Sequence, residues 1–149
     1  MGRAITRRDA VAGVTVGALA LGAAETASAA TETVRGSWRI TPEVPAGAPA
    51  FSALAAFGAG GIFITTGSDE PGTGIGQWEG KGKRGFKFAY TNFHFDSSGA
   101  LSSVVNVKAT GSFRGNKMNG SAELRRLDAD GNPIGSPRTS SFTGRRMSA

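Results

Sequence analysis

The chain has 149 residues, 23 glycines, no cysteine and a formal net charge of +6. That length supports one core and leaves no room for a second full-sized domain. The missing thiols exclude a disulfide scaffold, a cysteine-ligated metal centre and a lipid anchor attached through cysteine. A charge of this size is mildly basic and is not that of a polycation.

The first segment has the layout of an export signal. Residues 6–11 read T-R-R-D-A-V, and an apolar run over 10–24 follows, rich in Ala, Gly, Val and Thr. The run is shorter than the ~20 residues a stable membrane span needs, so it reads as the apolar core of a signal peptide and not as an anchor. Ala27-Ser28-Ala29 puts small side chains where a signal peptidase needs them, which places cleavage after Ala29, with Ala30 as the near alternative. The Arg7-Arg8 pair resembles the twin-arginine export signal, although the apolar pair after it is the weak Ala10-Val11 and the frequent Lys is absent. An ordinary secretory signal carrying two arginines is the other reading. Either way, 1–29 is expected to be a signal peptide and 30–149 a single secreted domain.

From Val34 onward the apolar period is close to two and no stretch has a helical period, so the expected fold is all-β. Strands are expected over 34–40, 51–57, 62–66, 76–81, 86–95, 101–113, 117–127 and 133–147. The breaks between them are rich in turn residues, as in Asp96-Ser97-Ser98-Gly99 and Asp130-Gly131-Asn132, so consecutive strands should be antiparallel neighbours. Glycines inside strands (Gly36, Gly80, Gly111, Gly120, Gly144) suit a sheet that bends at corners and bulges. An eight-stranded antiparallel up-and-down barrel satisfies these demands and protects its edges; a flatter sandwich is the alternative.

Gly36-Ser37-Trp38 on the first strand, with Arg145 or Arg146 near the end of the last, resembles the calycin superfamily, lipocalins above all. There a G-x-W motif meets an arginine across the closed end of the barrel. The resemblance implies barrel closure by Gly36, Trp38 and Arg145, with an indole plugging the end and a guanidinium stacked on it. The second lipocalin signature is not found, so the resemblance speaks to the barrel and not to one function.

In such a barrel alternate loops lie at opposite ends. Glu43, Asp69, Glu70, Asp96, Asp128 and Asp130 sort to one end, expected to be an acidic open mouth guarded by the proline-rich segment 41–50. Arg35, Lys81, Lys83, Arg84, Arg114, Lys117, Arg145 and Arg146 sort to the other. An acidic entrance favours neutral or cationic apolar guests, and the basic end is open to weak contact with anionic envelope polymers.

Taking Trp38 as inward, Trp78, Phe86, Phe88 and Tyr90 form the matching apolar face. The alternation then fails between Tyr90 and Phe95, which suggests a bulge near Asn92. The expected ligand-binding residues are Trp78, Phe88, Tyr90, Asn92 and His94, and the expected function is binding of a small, mostly apolar ligand in the cavity. A cofactor-free isomerase or cyclase acting on a polyene or polyketide-like substrate, similar to allene oxide cyclase, is the alternative, with Tyr90 polarising a carbonyl, His94 moving a proton and Glu79 also at hand.

One histidine and no cysteine give a metal little to bind, so none is expected, and no cofactor either. The stretch 128–132 lacks the later Glu of a calcium loop. Gly80-Lys81-Gly82-Lys83-Arg84-Gly85 fits G-x-G-x-x-G but leads into a strand, so no helix N-terminus waits for a pyrophosphate. No nucleic-acid motif is found.

Overall fold

The computed structural model describes residues 32–69 and 72–149. The segment expected to be an export signal, its expected cleavage site and Glu70 lie outside the described residues. Eight strands follow one another: β1 (Gly36–Pro42), β2 (Ala53–Phe57), β3 (Ile62–Gly67), β4 (Thr73–Lys81), β5 (Gly85–Phe95), β6 (Leu101–Arg114), β7 (Lys117–Asp128) and β8 (Arg138–Arg146). Each pairs antiparallel with the next, and β8 returns to pair with β1, so the sheet is a closed up-and-down barrel. Among the described residues no helix is long and apolar enough to cross a membrane.

Inward and outward positions alternate along every strand, and the inward set carries the core. Trp38, Phe57, Phe63, Phe86, Phe113, Met118 and Phe142 are all buried on that face. Phe57 is the hub, with edge-on contacts to the rings of Phe63, Trp78, Phe86 and Phe88 at centroid distances of 5.0 to 5.8 Å. Along β5 the inward rings of Phe86, Phe88 and Tyr90 form a parallel column with 6.2 Å between neighbours. Each such pair contributes roughly 0.5–1.5 kcal/mol beyond the area it buries.

The interior glycines of β6, β7 and β8 do a different job from the expected one. Gly111 lies opposite Phe86, Gly120 opposite Phe142 and Gly144 opposite Met118. A Cβ on Gly111 would come within 2.7 Å of the Phe86 ring, and one on Gly144 within 2.6 Å of Met118. The large inward side chain of one strand therefore lies over the bare backbone of its neighbour, which is how so many rings fit in an eight-stranded cross-section.

Three boundaries differ from the sequence reading. The alternation of β5 does not fail at Asn92: Tyr90, Asn92 and His94 stay on the inward parity, Phe93 and Phe95 are 52 % and 61 % exposed, and the register shift falls between His94 and Phe95. The error came from assuming that phenylalanine must face inward. β8 starts at Arg138 and not at Pro133, because Pro133, Gly135 and Pro137 interrupt the ladder; Gly135 has φ +70° and Pro133 makes only an isolated bridge to Leu127. β4 starts earlier than expected, at Thr73, since Gly74 takes part in pairing with Thr65.

Candidate functional site

The barrel interior divides by height. Strand direction puts Gly36, the turn at Gly58–Gly61, the turns at 82–84 and 115–116, and Arg146 at one end; 43–52, 68–69, Gly72, 96–100 and 129–137 lie at the other. The first end is closed. The Trp38 indole is fully buried there, its Nε1 donates to Val34 O at 2.7 Å, and Val34 itself is buried beneath it. The guanidinium over the indole belongs to Arg146, 4.3 Å from the ring centroid. Arg146 also donates to the carbonyls of Arg35 and, at 2.7 Å, Thr33, which ties the segment before β1 across the barrel floor. Arg145, the residue named for this role from sequence, is exposed on the outer parity. Two adjacent arginines cannot both face inward on a strand, and the register opposite Trp38 selects Arg146.

Above this floor the inward positions become small or polar: Ala53 on β2, Thr65 on β3, Gly74 on β4, Ala122 on β7 and Ser140 on β8. They leave a cavity of about 250 Å³ whose walls include Phe63, Phe88, Tyr90, Val107 and Phe142. Pro42, Glu43, Val44, Pro45 and Phe51 close one side, so the proline-rich segment does border the cavity, as expected. The Glu43 backbone N–H donates to Ser141 O at 2.8 Å and its carboxylate accepts from the Ser141 hydroxyl, which anchors that segment to β8. A second, wider space of about 510 Å³ shares Thr65, Tyr90, Leu124 and Arg138 with the first and is bordered by Asp69, Asn92, His94 and Arg126.

Of the five residues expected to line a ligand site, four come together. Phe88 and Tyr90 border the inner cavity, and Tyr90, Asn92 and His94 border the mouth. Trp78 does not: it lies lower on β4, packs edge-on against Phe57 at 5.8 Å, and donates from Nε1 to Gly58 O at 2.9 Å. It is part of the floor. Glu79 faces outward, where it pairs with Lys87 at 2.7 Å, so it is removed from the polar groups near the cavity.

Tyr90 is the chemically distinctive member. Burial, and after it the nearby Asp69 carboxylate, push its phenol above the usual value of 10.0, so it is a neutral hydroxyl at any ordinary pH. Asn92 lies alongside, and its Oδ1 is buried with no hydrogen-bond donor among the described residues. His94 follows two positions on, and its backbone carbonyl accepts from Ser102 Oγ at 3.0 Å. Among the described residues no group of three His, Asp or Glu side chains is placed to hold a metal ion.

The mouth is less uniformly acidic than the loop sequences suggested. Asp69, Asp96, Asp128 and Asp130 are at that end, but Arg126 and Arg138 sit on the inward parity of β7 and β8 just inside it. They were missed because charge was assigned loop by loop. Their parity, shared with Leu124 and Phe142, was the available signal. Repulsion by an acidic rim therefore does not by itself set the charge of a guest. At the acidic rim, the Asp96 and Asp128 carboxylates are held below their usual range, Asp96 first by the Ser98 hydroxyl and Asp128 first by the Asn132 backbone N–H, so both are occupied in closing their own turns.

Comparison with protein-family models, with curated proteins and with solved structures finds no match.

Proposed function

We propose that this protein is an exported, calycin-like barrel that holds one small, mostly apolar molecule in the upper half of its interior. The observation that supports this most directly is the change from rings to Ala, Thr and Ser on the inward face, which leaves about 250 Å³ between Phe63, Phe88, Tyr90 and Phe142. An apolar protein cavity of ~150 Å³ holds benzene, so this one has room for a guest one ring larger, with more in the mouth above it. The guest is neutral overall, since Asp69 and the inward Arg126 and Arg138 give the mouth both signs of charge. The Arg146 cap over a buried Trp38 and the closed meander support the calycin likeness, and the T-R-R segment with its Ala-Ser-Ala site supports export by the twin-arginine route.

A second reading has an observation of its own. A phenol kept protonated by burial, beside Asn92 and near His94, is a neutral hydrogen-bond donor bordering the mouth of an apolar pocket, able to polarise a carbonyl. A cofactor-free isomerase or cyclase needs little more than that donor and a shape that folds a flexible substrate. Native mass spectrometry of the protein from its own culture medium tests both readings. A co-purifying, unaltered apolar molecule supports a carrier, whereas a barrel that is empty and also excludes small apolar dyes overturns the pocket. Conversion of a polyene that stops in Tyr90→Phe while the dye still binds supports the enzyme.

A further inference from the structure

We propose that the outer wall next to the closed end is a binding site for a linear polymer of phosphate groups. The site lies on the outside of the barrel and stands whether or not the interior holds a guest.

The observation is a register. Arg114 on β6 lies directly opposite Lys117 on β7, Lys117 opposite Arg145 on β8, and Arg145 opposite Arg39 on β1. Their neighbours Phe113, Met118, Gly144 and Trp38 are the buried, inward members of each strand, so these four side chains all point outward, and all four are exposed. They form one row across four consecutive strands, each step about 4.8 Å in the hydrogen-bonding direction. The flanking outward positions, Ser37, Thr41, Ser112, Asn119 and Thr143, are uncharged. None of the four cations has an ion pair among the described residues.

Like charges set directly opposite each other on neighbouring strands destabilise a sheet. This barrel places three such pairs in succession and provides no carboxylate between them. The same wall is hollowed into a groove of about 590 Å³ bordered by Arg84, Arg114, Lys117 and Arg145. Arg84 is held there by the Phe113 N–H donating to its carbonyl at 2.9 Å, and its guanidinium pairs with Glu32 at 3.2 Å. Glu32 is thus the acidic partner of Arg84 and of none of the four cations in the row.

The row fits phosphate better than carboxylate. Three of its four members are arginines, whose planar forks donate in pairs to oxyanions. A carboxylate is used up by one fork. A phosphate between two forks set one strand apart offers oxygens to both, so a chain of phosphates can run along the row and bridge each step. Exposed pairs of this kind are individually weak, and several in line release several counter-ions at once.

The test is fluorescence anisotropy of an end-labelled inorganic polyphosphate at about 50 mM salt, with the salt then raised. The triple variant Arg114→Gln, Lys117→Gln, Arg145→Gln is expected to bind at least about ten-fold more weakly, with its log–log salt slope reduced by about two. A comparator with the same loss of charge elsewhere on the outer face, Lys87→Gln, Lys108→Gln, Arg125→Gln, should stay within about three-fold of the parent. Arg39→Lys with Arg114→Lys and Arg145→Lys keeps the charge and loses the forks, and should fall between them. Polyphosphate should also raise the melting temperature of the parent and not that of the Gln variant. Equal losses in the two Gln variants would mean that net charge alone binds the polymer. Polyglutamate binding as tightly as polyphosphate, single-stranded DNA binding more tightly than polyphosphate, or no binding by the parent would each overturn the assignment.

Discussion

The lower and upper halves of the barrel interior are built on the same eight strands and differ in what those strands point inward. Below, Trp38, Phe57, Phe86, Phe113 and Met118 fill the section, with Val34 beneath and Arg146 across the indole. Above, Ala53, Thr65, Ala122 and Ser140 leave the section partly open. An eight-stranded barrel is close to the width at which side chains just meet across the middle. Whether it is a solid core or a container is therefore decided by a handful of inward residues and not by the topology. The packed half supplies the stability that lets the other half remain hollow.

The largest expected effect breaks the packed half. Trp38→Ala removes the floor, its hydrogen bond to Val34 and the surface on which Arg146 stacks, and should cost about 3–5 kcal/mol, read from denaturant unfolding. Ala122→Leu asks the opposite question of the upper half. The added carbons enter existing space, so stability should change by less than about 1.5 kcal/mol while binding of a small apolar dye is lost. An equal loss of stability in both variants would mean the halves do not differ as described.

The smallest effect is a titration. Tyr90 is the only tyrosine, so absorbance of the phenolate reports it alone. Its ionisation should occur above the ordinary value of 10.0, because burial and Asp69 oppose the phenolate. Since the folded value is the raised one, the associated stability is present below pH 10 and is lost as pH rises through the folded value. A midpoint at the ordinary value would place the ring in water and open the cavity wall. Asp69→Asn should bring the midpoint part of the way down and leave the larger contribution of burial in place.

Most of the fold was legible because turn residues and a period of two mark strands independently of what the strands surround. The inward face was legible where parity was followed, as for Phe88 and Tyr90, and was misread at Asn92, where two phenylalanines out of phase suggested a bulge that lies instead between His94 and Phe95. It was not legible where height along the strand decides. Trp78 has the right parity and sits too low, its indole bound to the Gly58 carbonyl. Arg145 and Arg146 could not be separated until Trp38 had a partner across the seam. Phe93 and Phe95 misled because they are outward-facing, as are Ile64 on β3 and Ile75 on β4, and apolar residues outside a barrel break the rule by which strands are read.

The seam between β1 and β8 sets the order in which this molecule can be finished. With the segment before β1 it joins positions as far apart as Thr33 and Arg146, 113 residues along the chain. Until the last strand has been synthesised, the first keeps one side of its ladder bare, and so does the seventh. Both are sticky borders of the kind that recruit a stranger's strand. Loop closure over such a span is slow compared with local pairing. The hazardous interval for aggregation is therefore the time before β8 emerges, and a nascent chain stalled before Arg138 would have two open borders and no cap on its indole.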